Sequence, residues 1–276
     1  MNQKLIFLDI DGTLTEPGTN IPPASALEAI RRAQAKGHKV LLSSGRNYGM
    51  LSPLLQYQFD GFIASAGGYI EWNGKVFYDC PMTEKEQSQA LSALQGSGIY
   101  CTIESKHSTY TEEGLQDFLQ ENAKKSGNSE LLRWRKQLQT NLGIQPMAKY
   151  QGEPIYKIIF MTNDKEKLQK PMEALQNTFD FCIQDMDQYG IINGELINKK
   201  FNKGLAVKRL CTYLNIPLEN TIAFGDSMND LEMLQMAGLG ICMGNGSETL
   251  KKLAGDICPS VSENGLYQAF EKHGLL

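Results

Sequence analysis

Four short segments, far apart in the 276-residue chain, carry side chains that can handle charge on oxygen. Asp9 and Asp11 stand two residues apart at the end of the apolar run Leu5-Ile6-Phe7-Leu8, just before Gly12. Ser43-Ser44-Gly45-Arg46 follows Val40-Leu41-Leu42, and Lys203-Gly204 opens an amphipathic stretch. Gly225-Asp226-Ser227-Met228-Asn229-Asp230 follows Thr221-Ile222-Ala223-Phe224. Carboxylates at the ends of buried strands are costly unless a cation compensates them. Asp9 and Asp226 supply hard oxygen ligands without sulfur or imidazole nearby, which points to Mg2+. A group made of Asp9, Asp11, Asp226 and Asp230 cannot stay fully ionised without neutralisation. Mg2+ and the Lys203 ammonium would provide it, and would equally counter charge on a phosphoryl group. Phosphoryl transfer depends mainly on positioning and charge neutralisation. One carboxylate can attack phosphorus to give an aspartyl phosphate. A second can protonate the leaving oxygen and then activate water. Ser44 and the backbone N–H groups of Ile10, Gly12 and Gly45 are candidates for holding phosphoryl oxygens, since glycine lets the backbone approach closely.

These residues need a scaffold that brings strand ends together. Residues 4–8 form an unbroken apolar run, as expected of a strand buried on both faces. Pro22 and Pro23 precede a helical pattern over 24–36, with Gly37 as its stop. Strands are expected at 38–42 and 61–65, with a helix over 47–58 limited by Pro53. This β-α-β-α-β order predicts a parallel sheet. In open α/β sheets ligands bind beyond the carboxyl ends of the strands, which is where Asp9, Ser44 and Asp226 lie. Asn73-Gly74 between alternating runs predicts a hairpin, and Thr83-x-x-Glu86 a capping box. Strands are expected at 99–104, 156–161 and 181–185, and Pro171 should kink or delay a helix around 165–177. The polar stretch 105–152 resists assignment. From Lys203 onward the alternation resumes: helix 204–214, strand 221–224, helix 229–236, strand 239–242, and helices 247–253 and 264–272. The expected fold is therefore a parallel α/β domain interrupted by an insertion.

Bulk properties fit this reading. Hydrophobic residues make up 41% and charged residues 21%, ordinary for a globular protein, and the net charge is −4. No basic excess suggests a nucleic-acid partner. No apolar run suits a bilayer, and the N-terminus lacks the features of a signal peptide. The six cysteines show no C-x-x-C pair and read as buried, reduced thiols. The three scattered histidines argue against a zinc site. A cytoplasmic location is expected, with no nucleic-acid or membrane partner; the oligomeric state is left open.

Taken together, Asp9-Ile10-Asp11-Gly12-Thr13-Leu14, Ser44-Gly45-Arg46, Lys203-Gly204 and Gly225-Asp226-Ser227-Met228-Asn229-Asp230 resemble the haloacid dehalogenase superfamily of phosphatases. Their order and spacing are similar to its Cof-type branch (subfamily IIB), and Met243-Gly244-Asn245-Gly246 is similar to that branch's Met-Gly-Asn-Ala. The resemblance is strong at the motifs and weak between 85 and 190. It implies a Rossmann-like parallel core over 1–82 and 190–276. It also implies an inserted α/β cap over 83–189 that closes over the site and selects the leaving group. Asp9 would be the nucleophile and a metal ligand. Asp11 would be the acid/base and give its backbone carbonyl to Mg2+. Ser44 and Gly45 would bind the phosphoryl group, Lys203 would neutralise it, and Asn229 would touch it. Asp226 would be a metal ligand, Asp230 would hold the metal or its waters, and the stretch 15–22 would be a mobile flap. One departure is Ala66-Gly67-Gly68, where the branch often has Asn-Gly.

Blander readings exist for each part. The Asp-x-Asp-Gly motif is not a calcium loop, since its sixth position is Leu14 and its twelfth is Asn20. Gly238-x-Gly240-x-x-x-Gly244 lacks dinucleotide-fingerprint spacing. Arg133-Trp134-Arg135 reads as a solvated helix face, and Tyr110 and Trp72 as packing residues. The reaction expected is Mg2+-dependent hydrolysis of a small phosphorylated metabolite, a sugar phosphate or a phosphorylated cofactor. Two alternatives stand beside it: a sugar phosphomutase, and a regulator that binds a phosphometabolite without turnover.

Overall fold

A computed structural model describes residues 3–123, 144–183 and 191–276. The chain divides into two compact units. The first comprises Met1–Arg46, Leu51–Asp79 and Phe201–Leu276, and the second Asn47–Met50 and Cys80–Lys200.

The first unit is built on an eight-stranded sheet in the order β14-β13-β12-β1-β2-β3-β4-β5. In chain order these strands are β1 (Leu5–Leu8), β2 (Lys39–Ser43), β3 (Gly61–Ala64), β4 (Tyr69–Trp72), β5 (Lys75–Asp79), β12 (Thr221–Gly225), β13 (Leu239–Cys242) and β14 (Asp256–Ile257). All pairs from β14 to β3 are parallel; β4 and β5 add an antiparallel hairpin. Its turn residues Asn73 and Gly74 have φ of 48° and 72°, as a tight hairpin turn demands. β1 lies between β12 and β2, so every side chain from Leu5 to Leu8 is buried. Leu5 and Phe7 face a layer with Ala206, Val207, Leu210, Met233 and Leu250. Neighbouring residues point the other way, where Phe224 packs on Phe270 with ring centroids 5.5 Å apart. This two-sided burial is why the run reads as unbroken apolar rather than alternating.

The second unit holds a six-stranded sheet in the order β10-β11-β9-β6-β7-β8. Its strands are β6 (Tyr100–Ser105), β7 (Thr109–Thr111), β8 (Ile144–Pro146), β9 (Ile155–Thr162), β10 (Phe179–Ile183) and β11 (Ile192–Asn198). Thr83 and Glu86 form the anticipated capping box for the helix Glu84–Gly96. Pro171 sits in the first turn of the helix Gln169–Leu175, preceded by a 3-10 turn over Lys165–Leu168. Missing N–H groups are tolerated there. One sheet face carries Ile103, Ile158, Phe160 and Leu196 against Ala90, Leu94, Leu168 and Leu175.

Several elements differ from expectation. The expected strand over 181–185 is β10, which begins at Phe179; positions 184 and 185 are outside the described residues, as is Arg133-Trp134-Arg135. β11 has no counterpart among the expected strands. Its Gly194 lies across from Phe160, and a Cβ there would be 2.4 Å from the ring. The glycine makes room for an aromatic on the neighbouring strand. Residues 192–198 therefore belong to the second sheet, and the chain returns to the first unit at Phe201. The helix expected over 47–58 is a short turn, Tyr48–Leu51, followed by a 3-10 stretch at Ser52–Tyr57 that accommodates Pro53. Cys101, Cys211, Cys242 and Cys258 are buried free thiols, whereas Cys182 is exposed. Among the described residues no helix is long and apolar enough to cross a membrane.

The second unit also buries an ion triad. Lys157 Nζ lies 2.6 Å from Glu195 Oε1 and 3.3 Å from Glu104 Oε2, with all three residues buried. Glu104 is the direct cross-strand partner of Lys157, and Glu195 is diagonal to it on the same face. Removing the central cation leaves two buried carboxylates uncompensated. Lys157→Ala is expected to cost about 3–5 kcal/mol of stability in urea unfolding, whereas Lys157→Arg should cost far less.

Candidate active site

The carboxyl ends of β1 and β12 are neighbours in the sheet, and each delivers a carboxylate. Asp9 follows Leu8 directly and extends the ladder by one bond, its N–H donating to Phe224 O at 3.0 Å. Asp226 follows Gly225, the last residue of β12. Asp230 returns on the next turn: its Oδ2 accepts the N–H groups of Asp226 (3.1 Å) and Ser227 (3.3 Å), as part of a capping box. One carboxylate oxygen from each of Asp9, Asp226 and Asp230 lies within 4.8 Å of the others.

Lys203 enters this group from the first residue of the helix Lys203–Leu214, whose Asn202 cap accepts the Leu205 N–H at 2.7 Å. The ammonium, 2% exposed, donates to Asp9 Oδ1 at 2.7 Å and Asp230 Oδ1 at 2.5 Å. Burial works against its charge, but Asp230 and Asp9 outweigh that effect and hold its pKa above the ordinary lysine range. Burial, then the charge of Asp230, pushes Asp9 up to about 7. Burial, then the charges of Asp9 and Asp230, pushes Asp226 up to about 9. One ammonium thus serves three carboxylates.

The residues fit a small divalent cation. Asp226 Oδ1 is buried without a hydrogen-bond partner, a costly arrangement unless something else occupies its lone pairs. The donor set is all oxygen and carries excess negative charge, which suits Mg2+. The space is guarded by Gly12: its φ is 84°, and a Cβ there would lie 2.3 Å from Asp226 Oδ2.

Asp11 and the Ser44 turn lie at the same sheet edge. Asp11 Oδ2 accepts Arg46 Nε at 2.8 Å, Asp11 Oδ1 accepts Arg46 Nη2 at 2.8 Å, and Oδ1 also accepts the Gly18 N–H at 3.0 Å. Ser44 is buried, with its Oγ accepting the Arg46 N–H at 3.1 Å. Gly45 occupies the bend between them. Asn229 is exposed and accepts a hydrogen bond from Ser227 Oγ at 2.8 Å. The N–H of Gly12 donates to Thr15 O at 2.8 Å, so that amide serves the loop rather than a ligand. The stretch 15–20 is tied to the same edge, for Thr15 Oγ1 donates to Ile10 O at 3.2 Å. Tyr110 is buried and bonded to Glu153 within the second unit, and Trp72 lies on β4.

Sequence reasoning left two residues without a role. Arg46 was visible as the end of Ser44-Gly45-Arg46, but nothing in the pattern named its partner. Asn245, in Met243-Gly244-Asn245-Gly246, donates to Gly12 O at 2.7 Å and accepts the Val261 N–H at 3.1 Å. It therefore braces the loop that carries Asp9 and Asp11.

A family model for haloacid dehalogenase-like hydrolases matches residues 6–270, and the chain belongs to that family. Phosphatase YwpJ of Bacillus subtilis is 29% identical over 280 residues, spanning 95% of this chain and 97% of YwpJ. The B. subtilis 5-amino-6-(5-phospho-D-ribitylamino)uracil phosphatase YitU is 25% identical over 286 residues, spanning 98% of this chain and 97% of YitU. Among solved structures, the subclass IIB sugar phosphatase BT4131 shares the fold, with a TM-score of 0.78 and 23% identity over 99% of this chain and 100% of that one. The chain is a phosphatase of this family.

The raised carboxylates give a pH signature. Burial and like-charge neighbours raise Asp9 and Asp226 from the ordinary aspartate value of 3.8 to about 7 and about 9. Without metal the folded chain holds protons that the unfolded chain has lost, so stability falls as pH rises from about 4 towards 9. A divalent ion must displace those protons. Mg2+ is therefore expected to raise the melting temperature more at pH 8 than at pH 6, by a few degrees near saturation. An equal shift at both pH values would count against these carboxylates as the site.

Proposed function

We propose that the chain hydrolyses a small phosphorylated metabolite through an aspartyl phosphate, with Asp9 as nucleophile and Asp11 as acid/base. The observation that carries this reading is the buried Lys203 ammonium joining Asp9 to Asp230 beside Asp226. Asp9 Oδ1 is held by Lys203, which leaves Oδ2 to attack phosphorus. The P–O bond to the leaving group breaks as the new P–O bond to Asp9 forms, and Asp11 donates a proton to the departing oxygen. Asp11 then takes a proton from water, whose oxygen attacks the same phosphorus. Phosphate leaves and the Asp9 carboxylate is restored. Lys203 offsets the charge gathered at the phosphoryl group. Ser44, Gly45 and Asn229 are assigned to orient its oxygens. A Mg2+ held by Asp9, Asp226, Asp230 and the Asp11 backbone carbonyl would supply further positive charge to the phosphoryl oxygens.

The substrate class is a sugar phosphate or a phosphorylated cofactor precursor. The chemistry of the site supports any phosphomonoester; the phosphoribityl substrate of YitU motivates the second choice. Every residue assigned to phosphoryl transfer belongs to the first unit, so choice of leaving group is assigned to the second. A cytoplasmic location accords with soluble phosphometabolites as substrates.

Hydrolysis of 4-nitrophenyl phosphate with Mg2+ should be measurable in the native chain. Asp9→Asn should lower it by ~10³-fold or more. Activity retained in that variant would remove Asp9 from the nucleophilic role. Release of free phosphate from sugar phosphates separates hydrolysis from the mutase alternative, which would return isomerised sugar phosphate instead.

A further inference from the structure

Arg46 is 6% exposed, yet its guanidinium is almost wholly spent on one small region. Nε and Nη2 close a fork on the two oxygens of Asp11, each at 2.8 Å. Nη1 donates to Asn20 Oδ1 at 2.5 Å, and Nη2 also reaches Thr19 O at 3.3 Å. A planar fork on a planar carboxylate fixes both its position and its rotation, which a lysine's point charge cannot do.

The turn behind the guanidinium is itself braced. The Arg46 N–H donates to Ser44 Oγ at 3.1 Å, and Arg46 O accepts the Ser65 N–H at 2.8 Å. Ser44 O accepts the Ala66 N–H at 3.0 Å. Ser65 and Ala66 make these bonds with φ of 49° and 55°, conformations costing on the order of 1–3 kcal/mol each for residues with a Cβ. Two strained residues thus hold the Ser44–Arg46 turn in place.

We propose that Arg46 is a positioning residue for Asp11. It orients the carboxyl group that serves the leaving oxygen and the attacking water, and it ties residues 19 and 20 to the same point. The proposal rests on the reading of Asp11 as the acid/base. Asp11 follows the end of β1 on a loop, so contacts rather than its own backbone set the side-chain torsions: the two-point guanidinium fork, with the Gly18 N–H as a single further bond. A catalytic carboxyl must stay within hydrogen-bond reach of its target, and small misplacements are costly in rate.

The test is a double-mutant cycle read with two substrates. Expulsion of an alkoxide needs a proton, whereas expulsion of 4-nitrophenolate does not. Arg46→Gln should lower kcat/KM by ~10²-fold for an alkyl phosphate, and by less than ~10-fold for 4-nitrophenyl phosphate. Arg46→Lys, which keeps the charge and loses the fork, should fall on the same side. In an Asp11→Asn background, Arg46→Gln should cost less than ~3-fold more, because its target is already gone. A full additional loss in the double variant, or equal losses on both substrates, would overturn the positioning role. Asp11→Asn without effect on the alkyl phosphate would instead sink the acid/base reading, a separate failure. Should Arg46→Gln fold poorly, the same cycle run with Arg46→Lys decides the matter.

Discussion

The buried contact from Lys203 to Asp9 and Asp230 is the interaction on which the site depends. Two like charges about 4 Å apart repel by ~4 kcal/mol at the effective dielectric of a partly buried site. Three carboxylates at one sheet edge would therefore push their loops apart or take up protons. The ammonium removes part of that repulsion and still leaves the cluster short of positive charge. Burial first, and the repulsion that is left second, raise the pKa values of Asp9 and Asp226. The excess negative charge that remains is the condition under which hard oxygen donors favour a divalent cation.

The sheet makes this possible without much loop. β1 and β12 are parallel neighbours buried on both faces, so their ends are rigid and close together. Asp9 and Asp226 need only be the residues that leave those strands. Lys203 comes from a helix packed on the Phe7 face of the sheet, the face toward which Asp9 points by strand alternation. Asp230 serves twice, fixing the backbone after β12 and binding the ammonium. Around this rigid pair, the loops are held by side chains: Asn245 reaches the backbone of Gly12, and Arg46 reaches the Asp11 carboxylate and the backbone of Thr19.

Much of the first unit is legible from the chain because its signals are local. A fully buried parallel strand is an unbroken apolar run, and helix 24–35 is flagged by Pro22-Pro23 before it and Gly37 after it. Strand 239–242 is met to the residue. The second unit is less legible because its strands answer to partners distant in sequence. β7 and β8 are three residues long, too short to show a period. β11 carries an Asn-Gly pair whose turn preference is overridden by the need to fit Phe160.

The site divides along the same line. Residue types and order alone were enough to nominate Asp9, Asp11, Ser44, Lys203, Asp226 and Asp230, because strand ends in a parallel sheet share an edge whatever their sequence separation. Which atoms meet is a different matter, decided by packing. Tertiary structure alone set Lys203 between Asp9 and Asp230, turned the Gly12 amide inward to Thr15, and closed Arg46 on Asp11. A motif specifies backbone direction and side-chain chemistry over a few residues; a hydrogen bond between positions 11 and 46, or 9 and 203, exists only once the sheet has brought them within 3 Å.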